Sequence, residues 1–590
     1  MLTRRYQLLL LAAVILTAFY PAVLADFSRI DDAAMAEAYR SIQGWDLGFF
    51  VPFSGQSTYY RPLLGLSFLV DKHFLGLMPG LMHLENILFH LVNAVLVYFL
   101  TFYLMPSRDR NMSLLPLIAA LLFGLHPVNT ESVNWISGRT DVLAGTFILA
   151  SALCIMKFRE LHERKYAVLA VITFLGGALV KETALAFLPG AYLLMSAVPL
   201  QGDDMTRHDG TSPHRLDINR TAMLVLGGLL VALFFYVPRF MTVTSHTSRI
   251  GFTLNAISND WVHSMLAMLR AFGFYMKKLV FPYPLNFAIM EIDPLYEVLA
   301  VPLIALCLYM VSRRTALSAV FTAGLILVAP AFVLAFGQIA WTPYAERYVY
   351  ITSAFFIVPV VVYTRDKVLF PRFAPARAAI PALLLVLFVS VISRGVVWQS
   401  DFKLSKDTVE KSPMSRTMRL VYSTVLTEKG DYSEALNQLN EGRKIPALEY
   451  DERFDLNAAN ILYKQGRFDE AITYSEAALQ KTRGTSKRAL RSLIGLMEKK
   501  KETCNKPGET RMFDKKIFAY YVQLFKVDHD PHLLYQLGVT AYDLGDHKRS
   551  IRLFEQTRNN LTSDDPYRKF AQKNIDRATK ADPRKHTDDY

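Results

Sequence analysis

Long hydrophobic runs separated by short charged segments fill the chain from Arg4 to Trp398. At 1.5 Å of rise per residue, these runs suit α-helices that cross a bilayer core. After Trp398 the runs stop, and the sequence becomes charged with the periodicity of amphipathic helices. The pattern predicts an all-α protein, with a polytopic membrane domain over residues 1–398 and a soluble helical domain over residues 399–590.

Eleven of the hydrophobic runs are predicted to span the membrane. They are Tyr6–Leu24, Leu84–Met105, Leu114–Leu125, Val142–Met156, Tyr166–Val180, Thr183–Leu200, Thr221–Val237, Leu299–Val311, Ala316–Phe336, Tyr348–Tyr363 and Ala378–Val397. A further apolar segment, Trp261–Val280, carries three basic residues and ends in Phe-Pro-Tyr-Pro. We therefore expect this segment to lie in the interface, or to re-enter it, without crossing the membrane.

Charge in the loops sets the predicted orientation. Five basic loops all face the cytoplasm if Trp261–Val280 does not cross, which places the N-terminus inside and residues 399–590 outside. The basic start and apolar run of the N-terminus would also suit a cleaved signal peptide, but the many later spans favour an uncleaved first span. The outer face then receives nearly all the unusual polar residues of the membrane domain.

Composition narrows the class of protein further. Hydrophobic residues make up 52% of the 590 positions and charged residues 20%, which excludes a wholly soluble enzyme. The net charge of +13 comes with no zinc-finger spacing or basic amphipathic helix, so we expect no nucleic-acid partner. Only one of the three cysteines lies beyond the predicted spans, and they give no disulfide framework.

A short motif recurs in the charged C-terminal part. Gly430-Asp-Tyr-Ser-Glu-Ala435 and Gly466-Arg-Phe-Asp-Glu-Ala471 lie 36 residues apart, close to the tetratricopeptide period, and a related unit surrounds Gly545. In such repeats a glycine ends the first helix, and a small alanine lets the second helix pack closely. An ordinary helical bundle is the alternative, but the recurring motif favours a tetratricopeptide-repeat α-solenoid that binds a peptide or protein.

Two adjacent carboxylates, Asp31 and Asp32, follow the first span. At a membrane mouth such a pair would bind a metal, act as a general base, or simply be solvated. Farther along, His83, Asn86 and His90 share one helix face, which suits an inter-helix hydrogen-bonding stripe better than a metal site. His126 opens a turn between two spans that is dense in polar groups.

Two charged dipeptides abut the predicted spans directly. Lys181-Glu182 lies between two apolar runs with almost no loop, and Glu346-Arg347 precedes another span. Charges at membrane depth are costly unless they are paired or face a cavity, so these residues are functional candidates. The alternative is that each dipeptide forms a structural ion pair.

The polar motifs occur in one order along the chain. They are the acidic pair, Tyr-Arg-Pro-Leu, His-x-x-Asn-x-x-x-His, His-Pro-Val-x-Thr-Glu-x-Val followed by Gly-Arg-x-Asp, Lys-Glu, Phe-Pro-x-Pro-Leu and Ala-Glu-Arg-Tyr-x-Tyr. Together with the repeats, this ordered set resembles the TMTC-type transmembrane and tetratricopeptide-repeat O-mannosyltransferases. That family belongs to the GT-C class of membrane glycosyltransferases.

The resemblance implies that Asp31 and Asp32 form the catalytic site. It also implies a polyisoprenyl-phosphate-linked sugar as the donor and a hydroxyl of a protein as the acceptor. A carboxylate would take the acceptor's proton, and cations of the outer face would stabilise the leaving phosphate. The candidate phosphate-binding residues are Arg347, Lys181, Arg139 and Arg61.

Further residues are expected to support this site. Glu346 and Glu182 would orient the cations beside them in the sequence. The remaining supporting residues are His126, His83, Asn86 and His90. The chemistry needs no metal in principle, since basic side chains can neutralise the phosphate, although a divalent cation is an alternative.

The resemblance leaves several questions open. A bacterial inner membrane with a periplasmic repeat domain and an endoplasmic-reticulum membrane with a lumenal one both suit the sequence, so the sugar and the acceptor stay open. The region 488–525 matches the repeat pattern poorly. A non-enzymatic membrane scaffold that docks a partner through its repeats is the main alternative function. A transporter is less favoured, because the spans show no internal repeat.

Overall fold

The computed structural model describes residues 3–48, 60–105, 114–197, 260–313, 315–337, 341–365, 374–446, 450–504 and 507–581. The chain divides into two compact units, Met1–Ser415 and Arg416–Tyr590. Across these described ranges both units are helical, and the β interaction found there is an isolated bridge between Ile289 and Tyr344.

The first unit contains fifteen described α-helices. They are α1 Arg4–Val23, α2 Asp32–Ser41, α3 Pro62–Val70, α4 Pro79–Leu104, α5 Leu115–Gly124, α6 Thr130–Asn134, α7 Arg139–Leu161, α8 Arg164–Val180, α9 Phe187–Ser196, α10 Trp261–Val280, α11 Leu295–Ser312, α12 Ala316–Gly337, α13 Tyr350–Tyr363, α14 Ala374–Trp398 and α15 Asp401–Lys411. Short 3₁₀ helices occupy Pro127–Asn129, Ile136–Gly138, Glu182–Ala186 and Glu346–Val349, and a π-helix occupies Asp71–Leu75.

Seven helices in the described residues are long and apolar enough to cross a membrane. These are Arg4–Val23, Pro79–Leu104, Ile136–Leu161, Leu295–Ser312, Ala316–Ala335, Glu346–Tyr363 and Ala378–Trp398. Ten of the eleven predicted runs fall on helices, some of them shorter than this, and the eleventh, Thr221–Val237, lies outside the described residues. The protein is thus a multi-pass helical membrane protein, and the count of eleven crossings stays a prediction.

Small residues let the helices of the first unit approach closely. Between helices in lipid the hydrophobic effect is weak, so close packing and hydrogen bonds hold the helices together. A Cβ on Gly145 of α7 would lie 2.9 Å from the Tyr350 ring of α13, and one on Gly124 of α5 would lie 2.6 Å from Ile15 of α1. A side chain at Gly145 would thus meet the Tyr350 ring, and one at Gly124 would require the end of the Ile15 side chain to move.

The first unit extends beyond the last span. The sequence predicted the domain boundary after residue 398, whereas the compact unit runs to Ser415 and includes α15. The helix is held by an ion pair between Arg394 and Asp407 (2.5 Å) and by a hydrogen bond from Lys411 to the Leu285 carbonyl (2.9 Å). Hydropathy assigns α15 to the soluble part, because the helix is charged. It belongs to the membrane unit because its charged residues bind polar groups of that unit.

The second unit consists of nine described helices that pack pairwise in chain order. Gly430, Gly466 and Gly545 have φ angles of 83°, 75° and 82°, a conformation that favours glycine, and each ends the first helix of a pair as predicted. The predicted class, a helical membrane domain followed by a repeat solenoid, is confirmed. The helices are Arg416–Glu428, Tyr432–Lys444, Arg453–Lys464, Phe468–Lys481, Lys487–Glu502, Pro507–Asp528, His532–Asp543, His547–Asn560 and Pro566–Ala581.

Candidate active site

The acidic pair lies on a tight turn between α1 and α2. Asp31 has φ 70° and ψ −39°, and the Asp32 amide donates to the Ile30 carbonyl across it at 2.9 Å. These values are those of a γ-turn with positive φ, which is rare and strained for a residue with a side chain. Strained backbone persists only where the surroundings hold it, and it is frequent at functional sites.

The two carboxylates have different environments. Asp32 is buried, and it accepts hydrogen bonds from the Ser137 amide (2.9 Å), the Ser137 hydroxyl (2.5 Å) and the Ser28 amide (3.4 Å). Burial raises the pKa of Asp32 to about 7, although these bonds favour the carboxylate. The Asp31 side chain stays exposed. Its surroundings raise its pKa by desolvation, and the charge of Arg347 opposes this rise.

Trp135 connects the acidic turn to Arg347. Its indole Nε1 donates to the Ile30 carbonyl at 3.0 Å, one residue before Asp31. The Arg347 guanidinium carbon lies 5.3 Å from the centre of the Trp135 ring, which is within cation–π range. The polar turn between α5 and α7 therefore places a cation beside the acidic pair.

Arg347 is fixed by several hydrogen bonds. Its Nη1 donates to Glu131 Oε1, and its backbone amide donates to Glu131 Oε2 at 3.1 Å. Its Nη2 donates to the hydroxyls of Thr342 and Tyr348, both at 3.3 Å. The side chain keeps 10% of its surface exposed. Its orientation is thus set, while the side chain as a whole is not completely enclosed.

A second cation approaches the same aromatic ring. Lys181 Nζ lies 5.9 Å from the centre of the Tyr348 ring, and the Arg347 guanidinium lies 4.8 Å from it. Lys181 also pairs with Asp141 of α7 at 2.5 Å. The structure therefore brings together two of the four cations that were predicted to bind the phosphate, Arg347 and Lys181.

The expected orienting pairs are wrong, because neither charged dipeptide pairs within itself. Lys181 has extended backbone, so its side chain and that of Glu182 point to opposite sides. Glu182 instead accepts from Arg61 through both oxygens, at 2.9 and 2.6 Å. Glu346 begins a 3₁₀ helix, in which the next side chain points about a third of a turn away. It pairs with Lys278 of α10 at 2.6 Å.

Arg139 is fully buried and has its own set of partners. Its guanidinium pairs with Asp71 at 2.6 Å and Glu85 at 2.9 Å, and donates to Asn86 Oδ1 at 3.0 Å and the Met82 carbonyl at 3.2 Å. These acceptors join the π-helix to α4. These contacts hold the guanidinium among protein groups, which favours a structural role for Arg139.

The predicted supporting histidines and asparagine are buried in the helix packing. Asn86 and His90 join α4 to neighbouring elements, His126 joins its turn to α10, and His83 lies near the Asp26 backbone. In the described parts of the chain, no group of three His, Cys, Asp or Glu residues could hold a metal ion. The partners are the Trp135 carbonyl for Asn86 (2.9 Å), the Tyr350 hydroxyl (2.7 Å) and Gly124 carbonyl (3.0 Å) for His90, and the Leu279 carbonyl (3.2 Å) for His126.

Several residues of the cluster were absent from the predicted site. Glu131, Trp135, Ser137 and Asp141 all belong to the polar turn that the sequence analysis noted, and their density there was the available signal. Lys278 is one of the three basic residues from which the Trp261–Val280 segment was predicted to be interfacial. Its buried partner could not be read from the sequence, because the two residues are 68 positions apart.

Parts of the chain are similar to known proteins. The tetratricopeptide-repeat family model matches residues 456–486. The O-mannosyl-transferase tmtc2 of Xenopus laevis is 43% identical over 110 residues, covering 19% of this chain and 13% of that protein. TMTC2 of Homo sapiens is 37% identical over 132 residues, covering 22% and 15%. Tmtc1 of Drosophila melanogaster is 33% identical over 135 residues, covering 23% and 15%.

A solved structure of YrrB, described as a tetratricopeptide-repeat protein with an unusual peptide-binding site, is also similar. It is 13% identical, with a TM-score of 0.23, and the match covers 36% of this chain and 97% of that one.

The fold and the charged cluster define a multi-pass helical membrane protein with a tetratricopeptide-repeat unit. The resemblance to the TMTC-type protein O-mannosyl-transferases is confirmed over about a fifth of the chain. In each of these matches the chain spans 15% or less of the relative's length.

Proposed function

We propose that the protein is a membrane glycosyltransferase that transfers a mannose-like sugar to a hydroxyl group of a protein. Its donor is a polyisoprenyl-phosphate-linked sugar that enters from the bilayer, and the reaction takes place on the extracytoplasmic face. The observation that carries this proposal is the exposed Asp31 carboxylate beside Arg347. Lys181 and Arg347 both lie near the ring of Tyr348. The names of the relatives support the reaction class.

Asp31 is the proposed general base. The acceptor hydroxyl gives its proton to the Asp31 carboxylate as its oxygen bonds to the anomeric carbon of the sugar. The bond from that carbon to the phosphate oxygen breaks, and its electron pair stays on the lipid phosphate. General-base catalysis contributes about 10²–10⁴ in rate.

Arg347 and Lys181 are the proposed phosphate-binding residues. The leaving phosphate gains negative charge as the sugar departs, and fixed cations that already face it stabilise the transition state. Arg61 supports the site through its bidentate pair with Glu182, next to Lys181. Arg139 is not proposed to bind the phosphate, because its buried guanidinium is engaged by Asp71, Glu85 and Asn86.

Asp32 is proposed to position the turn. Its oxygens accept from Ser137 and Ser28, and its side chain is buried, so it is poorly placed to take a proton from an acceptor. The repeat unit is proposed to recruit the acceptor protein. Tetratricopeptide repeats bind peptides in a concave groove and supply no catalytic group.

Sugar transfer in purified, reconstituted protein tests this function. The assay supplies a polyisoprenyl-phosphate mannose donor and a hydroxyl-bearing peptide acceptor. Asp31→Asn is expected to reduce transfer at least about a hundredfold. Asp26→Asn, a change at an exposed carboxylate of the same segment, is the matched control and is expected to retain the rate. Wild-type transfer by an Asp31→Asn/Asp32→Asn double variant would show that the site is wrong.

A further inference from the structure

Besides its contacts with Ser137 and Trp135, the acidic turn is held by Asp401, the first residue of α15. The Asp401 carboxylate accepts from the Ser28 hydroxyl at 3.2 Å and from the Arg29 amide at 3.3 and 3.4 Å. The Arg29 side chain adds an ion pair at 3.4 Å. Asp401 is therefore anchored to two consecutive residues just before the γ-turn.

Ser28 passes this restraint on to the acidic pair. Its amide donates to Asp32, its hydroxyl accepts from the Ile30 amide at 3.2 Å, and its carbonyl accepts from the Ala33 amide at 3.1 Å. The Asp31 carbonyl in turn accepts from the Met35 amide at 2.8 Å, so the backbone on both sides of the Asp31 side chain is hydrogen-bonded. A strained conformation at Asp31 requires such restraint on both sides.

Asp401 itself lies on a helix that is held by several contacts. Asp401 begins α15 directly after Ser400, whose side chain caps the helix at the Lys403 amide. The helix itself is tied to α14 and to the loop after α10 through Arg394 and Lys411. The carboxylate is thus a fixed point against which the turn is set.

We infer that Asp401 is a positioning residue that holds the 28–33 turn so that the Asp31 carboxylate faces the Arg347 cluster. The inference rests on the proposed function for its effect on rate, and on the hydrogen bonds alone for its effect on the turn. Asp401 touches neither donor nor acceptor in this role. Its loss changes where the proposed base lies, and the contacts of Arg347 and Lys181 stay as they are.

The rate experiment compares Asp401→Ala with Glu410→Ala, an exposed carboxylate on the same helix. Asp401→Ala is expected to lower kcat by about tenfold to a hundredfold, since small misplacements of catalytic groups cost rates of that order. The KM for the donor is expected to stay unchanged. Asp401→Asn keeps an acceptor oxygen for Ser28 and Arg29 and should recover part of the rate. Equal kcat values for Asp401→Ala and Glu410→Ala would overturn the inference.

Hydrogen exchange gives a second result that does not depend on activity. The amides of Asp32 and Ala33 are expected to exchange faster in Asp401→Ala than in Glu410→Ala or the wild type. If both amides exchange at the wild-type rate, Asp401 does not order the turn. If exchange changes while Asp31→Asn remains fully active, the turn assignment stands and the proposed function fails. If Asp401→Ala does not fold, kcat and the exchange rates of the two amides are measured in Asp401→Asn instead.

Discussion

Asp31 and Asp32 are adjacent in the chain, yet one carboxylate is exposed and the other is enclosed by hydrogen-bond donors. The γ-turn separates them, because its sharp reversal directs the Asp31 side chain away from the pocket that Asp32 fills. Chemical reactivity and structural anchoring are thus divided between two neighbouring side chains of one type.

The first prediction concerns this division. Asp32→Ala leaves the Ser137 amide and hydroxyl without their acceptor, and a buried donor left unpaired costs about 1–3 kcal/mol. We therefore expect Asp32→Ala to lower the thermal unfolding temperature of the purified protein, whereas Asp31→Asn does not. An unchanged unfolding temperature for Asp32→Ala would contradict an anchoring role.

The second prediction separates the structural and the ligand-binding contributions of Arg347. Arg347→Ala leaves the buried Glu131 unpaired, and breaking a buried ion pair costs about 3–5 kcal/mol. Adding Glu131→Gln removes the stranded charge and should restore much of the stability. The double variant should still bind the donor weakly and turn over slowly, because its phosphate contact is missing. Recovery of both stability and transfer would mean that Arg347 is only structural.

The third prediction concerns the pH dependence of transfer. A general base acts when deprotonated, so the rate should rise with pH through the pKa of Asp31. Desolvation by its surroundings, which the charge of Arg347 opposes, raises that pKa above the ordinary value of 3.8. The acidic limb of kcat/KM against pH should therefore lie above 3.8 and keep its position in Asp26→Asn. A limb at or below 3.8 would argue against Asp31 as the base.

The fourth prediction concerns the repeat unit. His532 contacts Asp530 through Nδ1 at 2.8 Å and Asp565 through Nε2 at 2.9 Å, so both ring nitrogens donate to carboxylates when it is charged. These hydrogen bonds raise the pKa of His532. The stabilisation is fully present below the unfolded-state value near 6.5 and is lost as pH rises through the raised pKa.

We expect an excised fragment of residues 416–590 to be soluble and to melt cooperatively. Its melting temperature should fall as the pH rises from about 6.5 through the raised pKa of His532. His532→Gln cannot titrate and should flatten the pH dependence. A fragment whose melting temperature is equally pH-dependent with and without His532 would contradict the assignment.

The fifth prediction concerns orientation. The charge of the basic loops predicts that the repeat unit and the acidic turn lie on the same, extracytoplasmic side. In intact cells or sealed vesicles, an impermeant thiol reagent should label Cys504 of the repeat unit and a cysteine introduced at Asp26 from that side. Labelling of either position from the cytoplasmic side only would refute the topology and the site together.

Much of the fold could be predicted from the sequence, because span length and hydrophobic periodicity are local signals. The run Ala316–Phe336 is helical over Ala316–Gly337, and Gly466 ends a helix where the repeat pattern placed it. In the part of the chain that the structure describes, the boundaries of the long helices differ from the predicted ones by a few residues.

The partners of the charged residues could not be predicted in the same way. Arg347 and Glu131 are 216 positions apart and meet only because α13 packs near the turn that follows α5. Adjacency in the sequence suggested Glu346 instead, and the local backbone directs that side chain toward Lys278. Ion pairing between elements depends on the tertiary packing, which a single sequence does not reveal.

The position of Asp401 has a practical consequence for dissecting the protein into parts. A truncation after Trp398 would follow the hydropathy boundary and remove the repeats, but it would also remove the carboxylate that holds the acidic turn. Loss of transfer in that truncation would say nothing about acceptor recruitment. A cut after Ser415 keeps α15 with the membrane unit, so a fragment made there isolates the contribution of the repeats to substrate choice.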